Sequence, residues 1–135
     1  MIGYYIHSDG KIGAMVELNS ETDFVARNEK FKEFAHELAI QIVASNPKWI
    51  NRDEVPEDEI EQEKSVMTGM ENKPEHIKEK IIAGRLEKFY KDFCLMDQVY
   101  VRDPKKSIGN LFDSLSVSLK EKIVVKRFCR FRVGE

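Results

Sequence analysis

Residues 2–7 and 12–19 are rich in β-branched and aromatic side chains, and Ser8-Asp9-Gly10-Lys11 stands between them. Asp-Gly suits a tight hairpin turn, where the central residues take positive φ. The pattern predicts a β-hairpin whose second strand places Ile12, Ala14, Val16 and Leu18 on one face. Met15, Glu17 and Asn19 fall on the other. The period then lengthens. Phe31, Phe34, Ala35, Leu38 and Ile42 recur at helical spacing, with Lys30, Lys32, Glu33 and Glu37 opposite. Asn28 is the expected N-cap, and Asn46-Pro47 the expected stop.

Beyond Trp49-Ile50, Asn51 or Asp53 is placed to cap a helix with Pro56 near its start, running through Ile60 to about Met67. Lys73-Pro74 opens another, striped by Ile77, Ile81, Leu86, Phe89, Tyr90 and Phe93, with Gly84 as its weak point. Ser107-Ile108-Gly109-Asn110 leads into a short helix over Leu111–Leu119. Residues 123–133 alternate as a strand, with Val124 and Phe128 on one face and Val125, Cys129, Phe131 and Val133 on the other. The order strand, strand, helices, strand predicts an α+β fold of two layers: a three-stranded antiparallel sheet with helices on one face. Large apolar groups on both faces of the last strand would leave an apolar outer surface, which usually marks a partner.

Composition narrows the function. The 135 residues hold Lys+Arg 22 against Asp+Glu 24, so no global field draws the chain to nucleic acid. Cys94 and Cys129 lie far apart with no CxxC, which suits a reducing compartment and argues against structural zinc. No apolar run is long enough to span a bilayer, and the opening residues are expected to form a strand rather than a leader. His7, His36 and His76 sit in different elements without a nucleophile pattern, and the glycines form no phosphate-cradling loop. No catalytic residue, metal or cofactor is expected.

Two features point to binding. Lys126-Arg127-Phe128-Cys129-Arg130-Phe131-Arg132 interleaves basic and aromatic residues as RNA-binding sheets do, although an edge strand with outward charges has the same pattern. Thr22-Asp23-Phe24-Val25 puts a bulky aromatic after an acid, outside the helical stripe. Either Thr22 or Asp23 caps a short turn on which Phe24 packs locally, or Phe24 projects as an anchor beside an acceptor, Asp23.

At these residues the chain resembles a known family. Val16-Glu17-Leu18-Asn19-Ser20-Glu21-Thr22-Asp23-Phe24-Val25-Ala26-Arg27-Asn28 is similar to the signature of elongation factor Ts, the nucleotide-exchange factor of elongation factor Tu. The likeness continues in residues 5–13, in Lys80-Ile81-Ile82-Ala83-Gly84-Arg85-Leu86-Glu87-Lys88-Phe89-Tyr90, in residues 107–111 and in residues 127–135. The resemblance implies one core domain, 1–135, that dimerises and contacts the GTPase. Asp23 and Phe24, flanked by Thr22 and Val25, would disturb the partner's magnesium and phosphate site and promote GDP release, with His7 touching the partner's third domain. No bond would be made or broken. The resemblance also implies a homodimer through the sheet, with Val125, Cys129 and Phe131 at the interface, and a bacterial cytoplasm or an organelle matrix or stroma as its place. The family's N-terminal helical module is not represented in these residues, so an isolated core, a processed fragment or a natural truncation is expected. The alternative is an RNA- or ribosome-associated domain using residues 126–132.

Overall fold

The computed structural model describes residues 1–66 and 69–135. Its elements are β1 (Ile2–Ile6), β2 (Ile12–Asn19), α1 (Asp23–Ala26), α2 (Glu29–Ser45), α3 (Glu57–Ser65), α4 (Glu75–Phe93), β3 (Val99–Tyr100), β4 (Asp103–Ser107), α5 (Ile108–Leu119) and β5 (Val124–Arg132). They form two compact units, residues 1–46 with 99–135, and residues 47–98.

In the first unit the expected three-stranded antiparallel sheet is present in the order β1-β2-β5. The inner face of β2 buries Ala14, Val16 and Leu18, and α2 covers it with Phe31, Ala35, Leu38, Ala39 and Ile42. Asn28 caps α2 as expected, its side chain accepting from the Lys30 amide at 2.8 Å. The helix closes on Asn46 in the left-handed region (φ 46°), a conformation that asparagine tolerates.

Strict alternation fails in β5. Cα partners run Gly13–Phe131, Met15–Cys129, Val16–Phe128 and Glu17–Arg127, but Leu18 faces Val125, because a β-bulge absorbs one residue between. Directly opposed residues share a face, so Val125 sits with buried Leu18 on the helix-covered side. This corrects its grouping with Cys129 and Phe131. Arg130 also faces inward, its Nε and Nη2 donating to the Val43 carbonyl at 3.3 Å.

The short β3–β4 hairpin was not expected, and its support is remote in sequence. The buried Gln41 amide donates to the Val99 carbonyl at 3.0 Å and accepts from the Val101 N–H at 2.9 Å, serving the backbone as a strand would. Tyr100 Oη donates to Glu37 Oε2 at 2.8 Å, tying the same hairpin to α2. The last helix begins at Ile108 rather than Leu111. Ser107 Oγ accepts from the Asn110 N–H at 3.1 Å while Asn110 Oδ1 accepts from the Ser107 N–H at 3.2 Å, a reciprocal cap that starts α5 early.

The second unit is helical. The helix expected from Asn51 or Asp53 is divided in two: a 3-10 turn at Arg52–Glu54, then α3 with Pro56 as its N-cap. Val55 precedes that proline and is extended (ψ 121°), as the proline ring requires. The expected end near Met67 lies outside the described residues. α4 runs unbroken through Gly84. Phe89, Val55 and Cys94 form the buried centre, with Trp49, Ile60, Tyr90 and Phe93 packed around it. Arg52 joins the ends of this unit. Its Nη1 and Nη2 donate to Glu87 at 2.6 and 2.7 Å, its Nε lies 3.1 Å from Asp97 Oδ2, and its guanidinium stacks 4.6 Å from the Tyr90 ring.

Candidate functional site

α1 is a single turn of four residues between β2 and α2. Thr22 is its N-cap, with Oγ1 accepting from the Val25 N–H at 3.4 Å. Val25 points inward and is buried. Phe24 precedes it by about 100° of helical rotation and therefore turns away from the core. Its ring is 85% exposed. Local packing, the plainer of the two readings, does not occur. The exposed carboxylate of Asp23, beside it, makes no hydrogen bond or ion pair among the described residues.

The turn's backbone is held from elsewhere. Glu121, in the loop between α5 and β5, accepts from the Thr22 N–H at 2.9 Å and from the Thr22 hydroxyl at 2.6 Å. Glu21 reciprocates by accepting from the Lys122 N–H at 3.3 Å, and Ser20 Oγ donates to the Thr22 carbonyl at 2.9 Å. Thr22 thus spends its polar atoms on scaffolding. Sequence reasoning missed Glu121 because a charged residue between a helix and a strand carries no local signal.

His7 stands at the other exposed end of the unit, just after β1. The loop closes through His7 N–H to Ile12 O (2.9 Å) and Gly10 N–H to His7 O (2.8 Å), with Gly10 at φ 69°. Tyr5 Oη lies 2.9 Å from His7 Nδ1, and the Tyr5 ring meets His36 of α2 edge-on at 6.1 Å. His36 Nδ1 is 3.1 Å from the Tyr4 carbonyl. His76 is exposed on the first turn of α4.

The outer sheet face is apolar and open. Tyr4, Ile6, Met15 and Phe131 are all exposed, and Cys129 lies half-buried beside Met15. Gly13 is flanked by Ile6 and Phe131, and a hollow of about 360 Å³ opens on this face, lined by Tyr4, Ile6, Met15, Cys129 and Phe131 among others. The basic residues of β5 are largely engaged within the chain. Arg127 pairs with Glu17 at 3.0 Å, Arg130 with Glu135 at 3.4 Å, and Arg132 with Glu135 at 3.8 Å. The Asn19 and Arg127 hydrogen bonds hold the Glu17 carboxyl below the usual carboxylate range. Among the described residues, no cluster of three or more His, Cys, Asp or Glu could hold a metal, and no helix is long and apolar enough to cross a membrane.

The comparisons with known proteins point one way. The family model described as Elongation factor TS matches residues 1–135. Elongation factor Ts of Caldanaerobacter subterraneus subsp. tengcongensis is 45% identical over 138 residues, covering all of this chain and 69% of the relative. Its counterpart in Thermodesulfovibrio yellowstonii is 47% identical, covering 100% of this chain and 68% of the relative. That of Acetivibrio thermocellus is 46% identical, covering 100% and 64%. A match along the whole length, carrying the turn, the hairpin and the closing strand together, places this chain in the elongation factor Ts family of translation elongation factors.

Proposed function

We propose that residues 1–135 act as one non-catalytic core domain of a guanine-nucleotide exchange factor, binding elongation factor Tu and promoting GDP release. The observation that carries this reading is Phe24: a large aromatic ring, almost fully exposed, on a turn whose backbone is hydrogen-bonded on two sides. Such a ring costs little entropy to immobilise in a partner's pocket, and rigid aromatic anchors dominate binding energy. Asp23, without a partner among the described residues, supplies an acceptor for the partner's backbone or side chains, while Thr22 and Val25 hold the pair in place. A magnesium ion relies on few protein ligands and on the nucleotide phosphates, so a small displacement of those ligands weakens nucleotide binding. By linkage, a factor that favours the nucleotide-free GTPase weakens its affinity for GDP and is in turn displaced when nucleotide rebinds. His7 provides a second contact from the hairpin end. The setting is a bacterial cytoplasm or an organelle of bacterial descent.

Release of a fluorescent GDP analogue from elongation factor Tu tests the reading. Phe24→Ala should weaken the stimulation roughly 30-fold, the loss expected of a hot-spot side chain worth about 2 kcal/mol. Undiminished stimulation would sink it.

The open outer face supports a homodimer in which Tyr4, Met15, Cys129 and Phe131 meet their own copies across a two-fold axis. Sedimentation equilibrium should show a dimer that Phe131→Glu dissociates. The RNA reading is weaker, since Glu17 and Glu135 already pair with the arginines of β5. Salt-sensitive binding to single-stranded RNA, lost on changing Arg130 and Arg132, would revive it.

A further inference from the structure

We propose that Glu121 is a positioning residue for the Asp23–Phe24 turn, an inference that rests on the exchange-factor reading for its functional consequence. One carboxylate takes both donors of a single residue: Oε1 receives the Thr22 N–H at 2.9 Å and Oε2 the Thr22 hydroxyl at 2.6 Å. Hydrogen bonds to an ionised acceptor are about twice as strong as neutral ones, and two from one group fix orientation as well as distance.

The geometry also fixes which way the threonine hydroxyl points. With its proton committed to Glu121, Oγ1 presents a lone pair to the Val25 N–H and so closes the cap of α1. Without the carboxylate the hydroxyl is free to rotate and the cap weakens. Phe24 and Asp23 lie between these two bonded points, so their direction depends on both.

The loop that carries Glu121 is itself constrained. Lys120 adopts the left-handed conformation (φ 57°) as α5 ends, and Ile123 is buried three residues later. Between them, the Lys122 N–H donates to Glu21. A reciprocal pair of carboxylate-to-backbone contacts therefore spans the two loops, with Glu21 reaching one way and Glu121 the other. Four residues of α1 make too short a helix to hold a direction alone. The bracing accounts for how an exposed aromatic keeps one.

Two measurements on the full chain test this. The first is amide hydrogen exchange. In Glu121→Ala the Thr22 and Val25 amides should exchange at least roughly tenfold faster, while buried α2 amides such as that of Leu38 keep their rates. The second is stimulated GDP release at saturating factor. Glu121→Ala should lower the maximal rate roughly five- to tenfold and Glu121→Gln, which keeps one acceptor, less. In the Phe24→Ala background Glu121→Ala should add nothing further. Unchanged exchange at Thr22 and Val25 overturns the positioning role whatever the release rate does. Losses that simply add between Glu121→Ala and Phe24→Ala overturn it as well. Faster local exchange, with Phe24→Ala leaving GDP release intact, upholds the brace and removes the exchange-factor reading instead.

Discussion

Gly3 of β1 lies directly against the Ala35 backbone of α2. A Cβ built on Gly3 would sit 2.5 Å from the Ala35 carbonyl carbon and 2.8 Å from its Cβ. Sheet and helix meet here with no side chain between them. Gly3→Ala should therefore destabilise the fold by about 1–3 kcal/mol, at the upper end because the obstacle is backbone rather than a flexible side chain. Urea unfolding followed by circular dichroism measures it; an unchanged midpoint would mean that α2 shifts at no cost.

The Arg52 clamp predicts a pH dependence confined to the helical unit. Hydrogen bonds from Arg52 hold the Glu87 carboxyl below its ordinary value of 4.5. Its folded value is lower than its unfolded one, so the stabilisation is present above pH 4.5 and disappears as pH falls through the lower folded value. Arg52→Met should lower the unfolding midpoint at pH 7, and the gap from the unaltered chain should narrow in more acid solution. Trp49, the single tryptophan and part of this unit's packing, is the reporter.

The two thiols should separate by reactivity. Burial pushes the Cys94 thiol up to about 11, so little thiolate exists at pH 8 and reagent cannot reach it. Cys129 is half-buried on the open sheet face. Alkylation at pH 8 followed by mass spectrometry should label Cys129 first and Cys94 only after denaturant. If the sheet face pairs with a second copy, labelling of Cys129 should slow as protein concentration rises. Equal rates for both thiols would contradict the packing of the helical unit.

How much of this was legible in the sequence follows from the range of the interactions. The hairpin, α2 and the closing strand announce themselves through periodicity, because each buries one face. Asp23–Phe24 was visible as an aromatic out of step with its surroundings, though capping and projection could not be separated without knowing where Val25 points. The β3–β4 hairpin was invisible: Asp103-Pro104-Lys105-Lys106-Ser107 has little strand character, and Gln41 supplies its support from about sixty residues away. The brace from Glu121 to Thr22 is likewise non-local, its ends 99 positions apart in the chain.

The bulge in β5 acts as a change of reading frame within one strand. Val125 and Phe128 are three residues apart, one odd and one even, yet both look toward α2 because Leu18 and Val16 do. Lys126 is the uncounted position that makes this work. Its deletion should leave every other residue facing the way it now does, and the shortened chain should still fold cooperatively, with the Leu18–Val125 pairing intact by nuclear Overhauser contacts. Loss of folding would show that the bulge's twist is needed for more than spacing. Elsewhere in β5 a missing residue would turn part of the strand inside out; at this point the chain can be a residue shorter and keep its meaning.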